Sequence, residues 1–85
     1  MLNASSILSY LMMHENYTHI KLEKRKWQTT ITMIFPYGDT GAYKLRNELI
    51  DVVPENCTFQ IKDFEDSKTC DVFTTLKIVW EYEED

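Results

Sequence analysis

The chain is poor in the residues that staple, bend or loosen small proteins: two cysteines, two glycines and two prolines among 85 residues. Cys57 and Cys70 are too few for a disulfide framework and lack any CxxC or Cys/His zinc spacing, so they read as reduced thiols. With 44% hydrophobic and 13% aromatic residues, the composition excludes a disordered or low-complexity chain. No apolar run approaches the ~20 residues of a membrane span. No Lys or Arg precedes the short apolar stretch near the start, unlike a secretory signal. Basic charge is scarce as well. Nine Lys and Arg face fourteen Asp and Glu, and a net charge of −5 disfavours nonspecific attraction to phosphate backbones or anionic membranes. These absences lead us to expect a cytoplasmic protein, of a bacterial or host cell, that binds no membrane and for which nucleic acid is a less expected partner than protein.

What is present suits one modest core. By area scaling, a chain of 10.1 kDa exposes about 5,300 Å² folded against about 14,600 Å² unfolded. Ile7, Leu8, Leu11 and Met12 share one helical face within a segment running from Ala4 to about Met13, with Asn3 as its cap. From Thr18 the period changes to two. Ile20 and Leu22, then Trp27, Thr29, Ile31, Met33 and Phe35, mark the apolar faces of two strands. A tight turn at Lys24-Arg25 would set Leu22 opposite Trp27 and Ile20 opposite Thr29.

The stretch 35–41 holds both glycines and one proline and breaks the chain. Asp39 or Thr40 should cap a second helix whose buried face carries Ala42, Leu45, Leu49, Ile50 and Val53, with Pro54 as the stop. A second hairpin follows: Cys57, Phe59 and Ile61, an acidic turn over Glu65-Asp66-Ser67-Lys68, then Val72, Thr74, Leu76, Ile78 and Trp80. A turn centred between Asp66 and Ser67 would pair Cys57 with Leu76 and part the two sulfurs by roughly 20 Å. Residues from Glu81 onward read as a fraying acidic tail.

The expected fold class is therefore α+β: a two-layer sandwich of order αββαββ, with a four-stranded, mostly antiparallel sheet and two helices on one face. It forms a single domain, 1–85, of two helix-hairpin units, 1–38 and 39–85. The units share short resemblances, Glu15–Thr18 with Ile20-Lys21 against Glu55–Thr58 with Ile61-Lys62, one residue longer in the second, and Thr29–Ile34 against Thr74–Val79, which either an internal duplication or two hairpins built on the same pattern would explain.

Catalytic chemistry finds little footing. His14 at a helix end and His19 on a polar strand face lack further ligands at metal spacing. Gly38-Asp39-Thr40-Gly41 lacks the Lys-Ser/Thr pair of a phosphate-binding loop, and Asp63, Glu65 and Asp66 lack the spacing of a calcium loop. Asn3, Asn16 and Asn56 begin glycosylation sequons that matter only in a secreted chain. We expect no enzyme, metal or cofactor.

Charge is unevenly spread. Residues 1–38 carry four basic and two acidic groups, net +2, whereas 39–85 carry five and twelve, net −7. The leading expectation is a small acidic binder that occupies a basic site on a partner protein, such as a nucleic-acid-processing enzyme, in the style of an inhibitor, an immunity protein or a DNA-mimicking viral protein. The residues expected to touch the partner are Asp63, Glu65, Asp66, Asp71, Phe73, Val79 and Glu81. Two alternatives remain: a nucleic-acid-binding module using the basic tip Lys24-Arg25-Lys26-Trp27, and a structural homodimer built through the open sheet face, which carries Ile34, Phe73 and Val79.

Overall fold

The computed structural model describes residues 4–13, 17–38 and 40–81. Among them the order is α1 (Ala4–Met12), β1 (His19–Lys24), β2 (Gln28–Pro36), α2 (Gly41–Leu49), β3 (Cys57–Glu65) and β4 (Val72–Glu81), the αββαββ order expected. The sheet is antiparallel throughout, with strand order β1-β2-β4-β3, so each hairpin contributes one central and one edge strand. Both helices lie on one face.

Alternation in the strands builds the core. Ile31, Met33 and Phe35 from β2 and Leu76, Ile78 and Trp80 from β4 are buried under Ala4, Ile7 and Leu11 of α1 and Ala42, Leu45 and Leu49 of α2. The edge strands contribute Ile20, Leu22, Phe59 and Ile61, which are only partly buried. Thr74, buried in this layer, donates its hydroxyl to Asp63 Oδ1 at 2.7 Å, so its polar atom is satisfied. Tyr10 Oη donates to Glu48 Oε2 at 2.9 Å and ties α1 to α2. Accepting that bond, and opposing a second negative charge, the Glu48 carboxylate holds the Tyr10 phenol above its ordinary value, with some help from burial.

Several expectations need correction. Both hairpin registers lie four residues from those expected: Leu22 faces Ile31 rather than Trp27, and Cys57 faces Trp80 rather than Leu76. In the first hairpin the Arg25 amide donates to the Gln28 carbonyl at 2.7 Å, which leaves Lys26 and Trp27 at the tip. Trp27 has core parity but the strand has already ended, and it is 53% exposed. In the second hairpin the Asp66 amide donates to the Asp71 carbonyl, and Cys70 adopts a left-handed backbone, φ 63°, in the four-residue loop between them. Cys57 lies at the other end of β3, nine residues from Asp66, so roughly 30 Å of strand parts the thiols. Met12 and Ile50, expected on buried helix faces, are exposed because each stands about 100° round the helix from its neighbour, Leu11 or Leu49, which takes the core-facing position. Thr40 stands at the start of α2 without a side-chain cap bond. Glu81 closes β4 opposite Gln28 instead of opening a frayed tail. The roles expected of Asn3, His14, Asn16, Asp39 and the residues after Glu81 fall outside the described residues.

The two units repeat in element order but not residue for residue. If Thr29–Ile34 is laid on Thr74–Val79, Met33 falls on Ile78, and the registers then carry Ile20 onto Phe59, not onto Ile61. The two short resemblances are therefore out of register with each other.

Candidate protein-binding surface

The seven residues expected to touch a partner divide into two groups. Asp63, Glu65, Asp66, Asp71 and Phe73 gather at the far end of the β3–β4 hairpin, where Asp63 faces Thr74, Phe64 faces Phe73 and Glu65 faces Val72. Val79 and Glu81 belong to the opposite end of β4, with Val79 six residues from Phe73, or roughly 20 Å. Val79 is also only 6% exposed, in the row between Thr30 and Thr58, and offers no anchor. Glu81 is engaged at home: Gln28 Nε2 donates to its Oε1 at 2.8 Å, and Asn56 Nδ2 donates to its carbonyl.

The hairpin end is a built structure. Asp66 accepts the Lys68 amide on Oδ1 at 2.8 Å and the Thr69 amide at 3.4 Å, while the Thr69 hydroxyl accepts the Asp71 amide at 3.3 Å. Those bonds hold the loop open and aim Glu65 and Asp71 at solvent. The Phe64 and Phe73 rings stand 5.4 Å apart at 33° in a tilted pair, Phe64 exposed and Phe73 half-buried, while exposed Val72 faces the helix side.

On the helix side of the same end, Tyr37, Gly38, Thr40 and Tyr43 line a shallow cleft of about 210 Å³ with Asp63 and Thr74. Gly38, at φ +83°, makes the turn that carries Tyr37 over this cleft. Tyr37 is 65% exposed, and Asp63 is exposed beside it with Oδ1 already accepting the Thr74 hydroxyl. An apolar, aromatic surface with carboxylates on its rim suits a basic side chain and the apolar stem behind it. Phe64, Val72, Tyr37 and Tyr43 were missed in the sequence. Phe64 could have been found there, since alternation from Phe59 and Ile61 puts it on the uncovered face.

That uncovered face has the opposite character. Registers align Glu23, Thr30, Val79 and Thr58 in one row, Lys21, Thr32, Lys77 and Gln60 in the next, and His19, Ile34, Thr75 and Lys62 in a third. Lys21 pairs with Glu23 at 3.2 Å, which lowers the Glu23 pKa, first through their hydrogen bond and then through charge, with Arg25 adding to it. Lys62 and Lys77 have no ion pair among the described residues. The basic tract continues to the β1–β2 tip, where the Lys26 Nζ lies 5.5 Å from the Trp27 ring centroid and Arg25 reaches Glu23 at 3.6 Å. His19 Nδ1 lies 3.3 Å from Thr18 Oγ1, and among the described residues no group of three or more His, Cys, Asp and Glu side chains is arranged to hold a metal. No family model matches the chain, and neither a curated protein nor a solved structure is significantly similar to it.

Proposed function

We propose that this chain is a non-enzymatic binding protein whose β3–β4 hairpin end occupies a basic site on a partner protein, in the manner of an inhibitor or regulator. The observation that carries the reading is the gathering of Asp63, Glu65, Asp66 and Asp71 at one end of the molecule, with Tyr37 and Val72 exposed on its helix side and the Phe64–Phe73 pair on its uncovered face. Carboxylates at the rim steer a basic partner, and the aromatic centre supplies the buried contact that holds it. A site that binds and processes nucleic acid is one basic surface of this kind, reached by mimicry of phosphate charge. The test is affinity capture with the tagged chain. The partner retained by the unaltered protein should be lost with E65K/D71K and with F64A, and kept with K26E. Loss with K26E alone would sink the reading.

A second reading rests on a different observation. Trp27 stands outside the core beside Lys24, Arg25 and Lys26, and the tract runs on to Lys21, Lys77 and Lys62. A single strand of nucleic acid could stack a base on Trp27 and lay its phosphates along the lysines. A labelled oligonucleotide retarded by the unaltered chain and not by W27A would favour this reading over the first.

A further inference from the structure

The outer edge of β3 is long and regular, with its charged residues Lys62, Asp63 and Glu65 gathered toward one end. Its nine residues contain no proline and no bulge, and Lys62 is its only basic residue. Two closing bonds, Asp66 amide to Asp71 carbonyl and Glu81 amide to Asn56 carbonyl, show that even-numbered residues of this strand turn their backbone groups toward β4. By alternation, Phe59, Ile61 and Asp63 turn theirs outward. Beside this edge runs an open groove of about 570 Å³, with Arg46, Ile50, Val53 and Pro54 on the helix side and Cys57, Thr58 and Phe59 on the strand. Ile50 is 54% exposed there, and Phe59 and Ile61 are only half-buried.

We infer that a second copy of this chain pairs with that edge, β3 against β3 antiparallel about a two-fold axis at Gln60, to make an eight-stranded sheet. In this register Phe59 faces Ile61 of the second copy, Gln60 faces Gln60, and Lys62 faces Thr58. All are acceptable cross-strand neighbours. Asp63 of the second copy falls opposite Cys57, beside the groove that Arg46 lines, so the interface pairs opposite charges twice. Arg46 has no carboxylate partner among the described residues; its guanidinium reaches Asn47 Oδ1 at 3.4 Å and stacks 5.5 Å from the Tyr43 ring. Other registers are worse. A one-residue slip turns outward groups against inward ones. A slip of two residues in one direction sets Asp63 against Phe59. The same slip in the other shortens the pairing and runs Lys62 past the end of the second strand. The chosen register forms about eight intermolecular backbone hydrogen bonds and takes Asp63 into the interface, leaving Glu65, Asp66 and Asp71 of both hairpin ends free.

Sedimentation equilibrium and single-cysteine cross-linking test the pairing. The unaltered chain should sediment at twice its 10.1 kDa mass. Gln60→Lys, which opposes two ammonium groups at the axis, should weaken the dimer at least tenfold while leaving the circular dichroism spectrum unchanged. In a chain whose Cys57 and Cys70 are replaced by Ser, Gln60→Cys should cross-link to itself on mild oxidation, because non-hydrogen-bonded partners stand about 4.5 Å apart at Cα. Thr58→Cys should not do so alone, but should cross-link when mixed with Lys62→Cys. A chain that stays monomeric up to millimolar concentration overturns the inference. So does a dimer indifferent to Gln60→Lys.

Discussion

At Cys70 the backbone carries a cost that its side chain does not repay. A left-handed conformation costs an ordinary residue about 1–2 kcal/mol, and Cys70 holds φ 63° because its amide donates to the Asp66 carbonyl at 2.8 Å while the Asp66 and Thr69 side chains tie down the rest of the loop. Cys70→Gly should raise stability by about 0.5–1 kcal/mol, the relief being reduced by the extra freedom glycine gives the unfolded chain. Chemical denaturation measures it, and a less stable variant would mean that the loop is not built this way. Tyr10 gives a residue-scale test of pH. Its pKa is raised in the fold, so the protonated phenol contributes stability that is fully present below the ordinary value and is lost as pH rises through the folded one. Ultraviolet titration of the Tyr10 phenol should place its ionisation above the ordinary value, and Glu48→Gln should bring it back.

The elements differ in how tightly they are held, and the sheet order says which. β4 is bonded on both sides for nearly its whole length and buries Leu76, Ile78 and Trp80, whereas β1 has six residues, one neighbour and no fully buried side chain. Amide exchange should be slowest in β4 and β2 and fastest in β1. Leu76→Ala or Ile31→Ala should cost about 2–5 kcal/mol, a large share of the total a domain this size can have, while Trp27→Ala should cost little. That contrast reflects what was legible in the sequence. Both hairpins were assigned to the correct faces although both registers were displaced, because a displacement of four is even and parity survives it. The register itself was not legible, since neither turn has the Asn-Gly signal that fixes loop length. Trp27 was misjudged for the same reason: parity counts along a strand and does not say where the strand stops. The acidic surface was legible as a run between Asp63 and Asp71, but Val79 and Glu81 were joined to it without allowance for the length of β4.

On the scale of the whole molecule, the charges sort by place more sharply than by half of the chain. Lys21, Lys62 and Lys77 share the uncovered sheet face, although two of them belong to the acidic half, while Asp63, Glu65, Asp66 and Asp71 crowd one end. A molecule so divided carries a charge dipole, which would orient it toward the proposed basic partner before contact. The sequence led us to expect that Glu65, Asp66 and Asp71 could all be reversed without harm to the fold. The structure removes Asp66 from that set, because its carboxylate holds the loop by accepting the Lys68 amide. Glu65→Lys with Asp71→Lys is the suitable variant, since neither side chain supports the turn and exposed charges contribute little to stability. Binding to the captured partner should then slow in association far more than it quickens in dissociation. The difference from the unaltered chain should shrink as salt rises, because the Debye length falls from about 8 Å at physiological ionic strength to about 3 Å at 1 M. Phe64→Ala should do the reverse, leaving association nearly unchanged and speeding dissociation, because the aromatic pair acts only after contact. Surface plasmon resonance at two salt concentrations separates these effects. If the charge variant associates as fast as the unaltered chain at low salt, the hairpin end is not the surface that meets the partner.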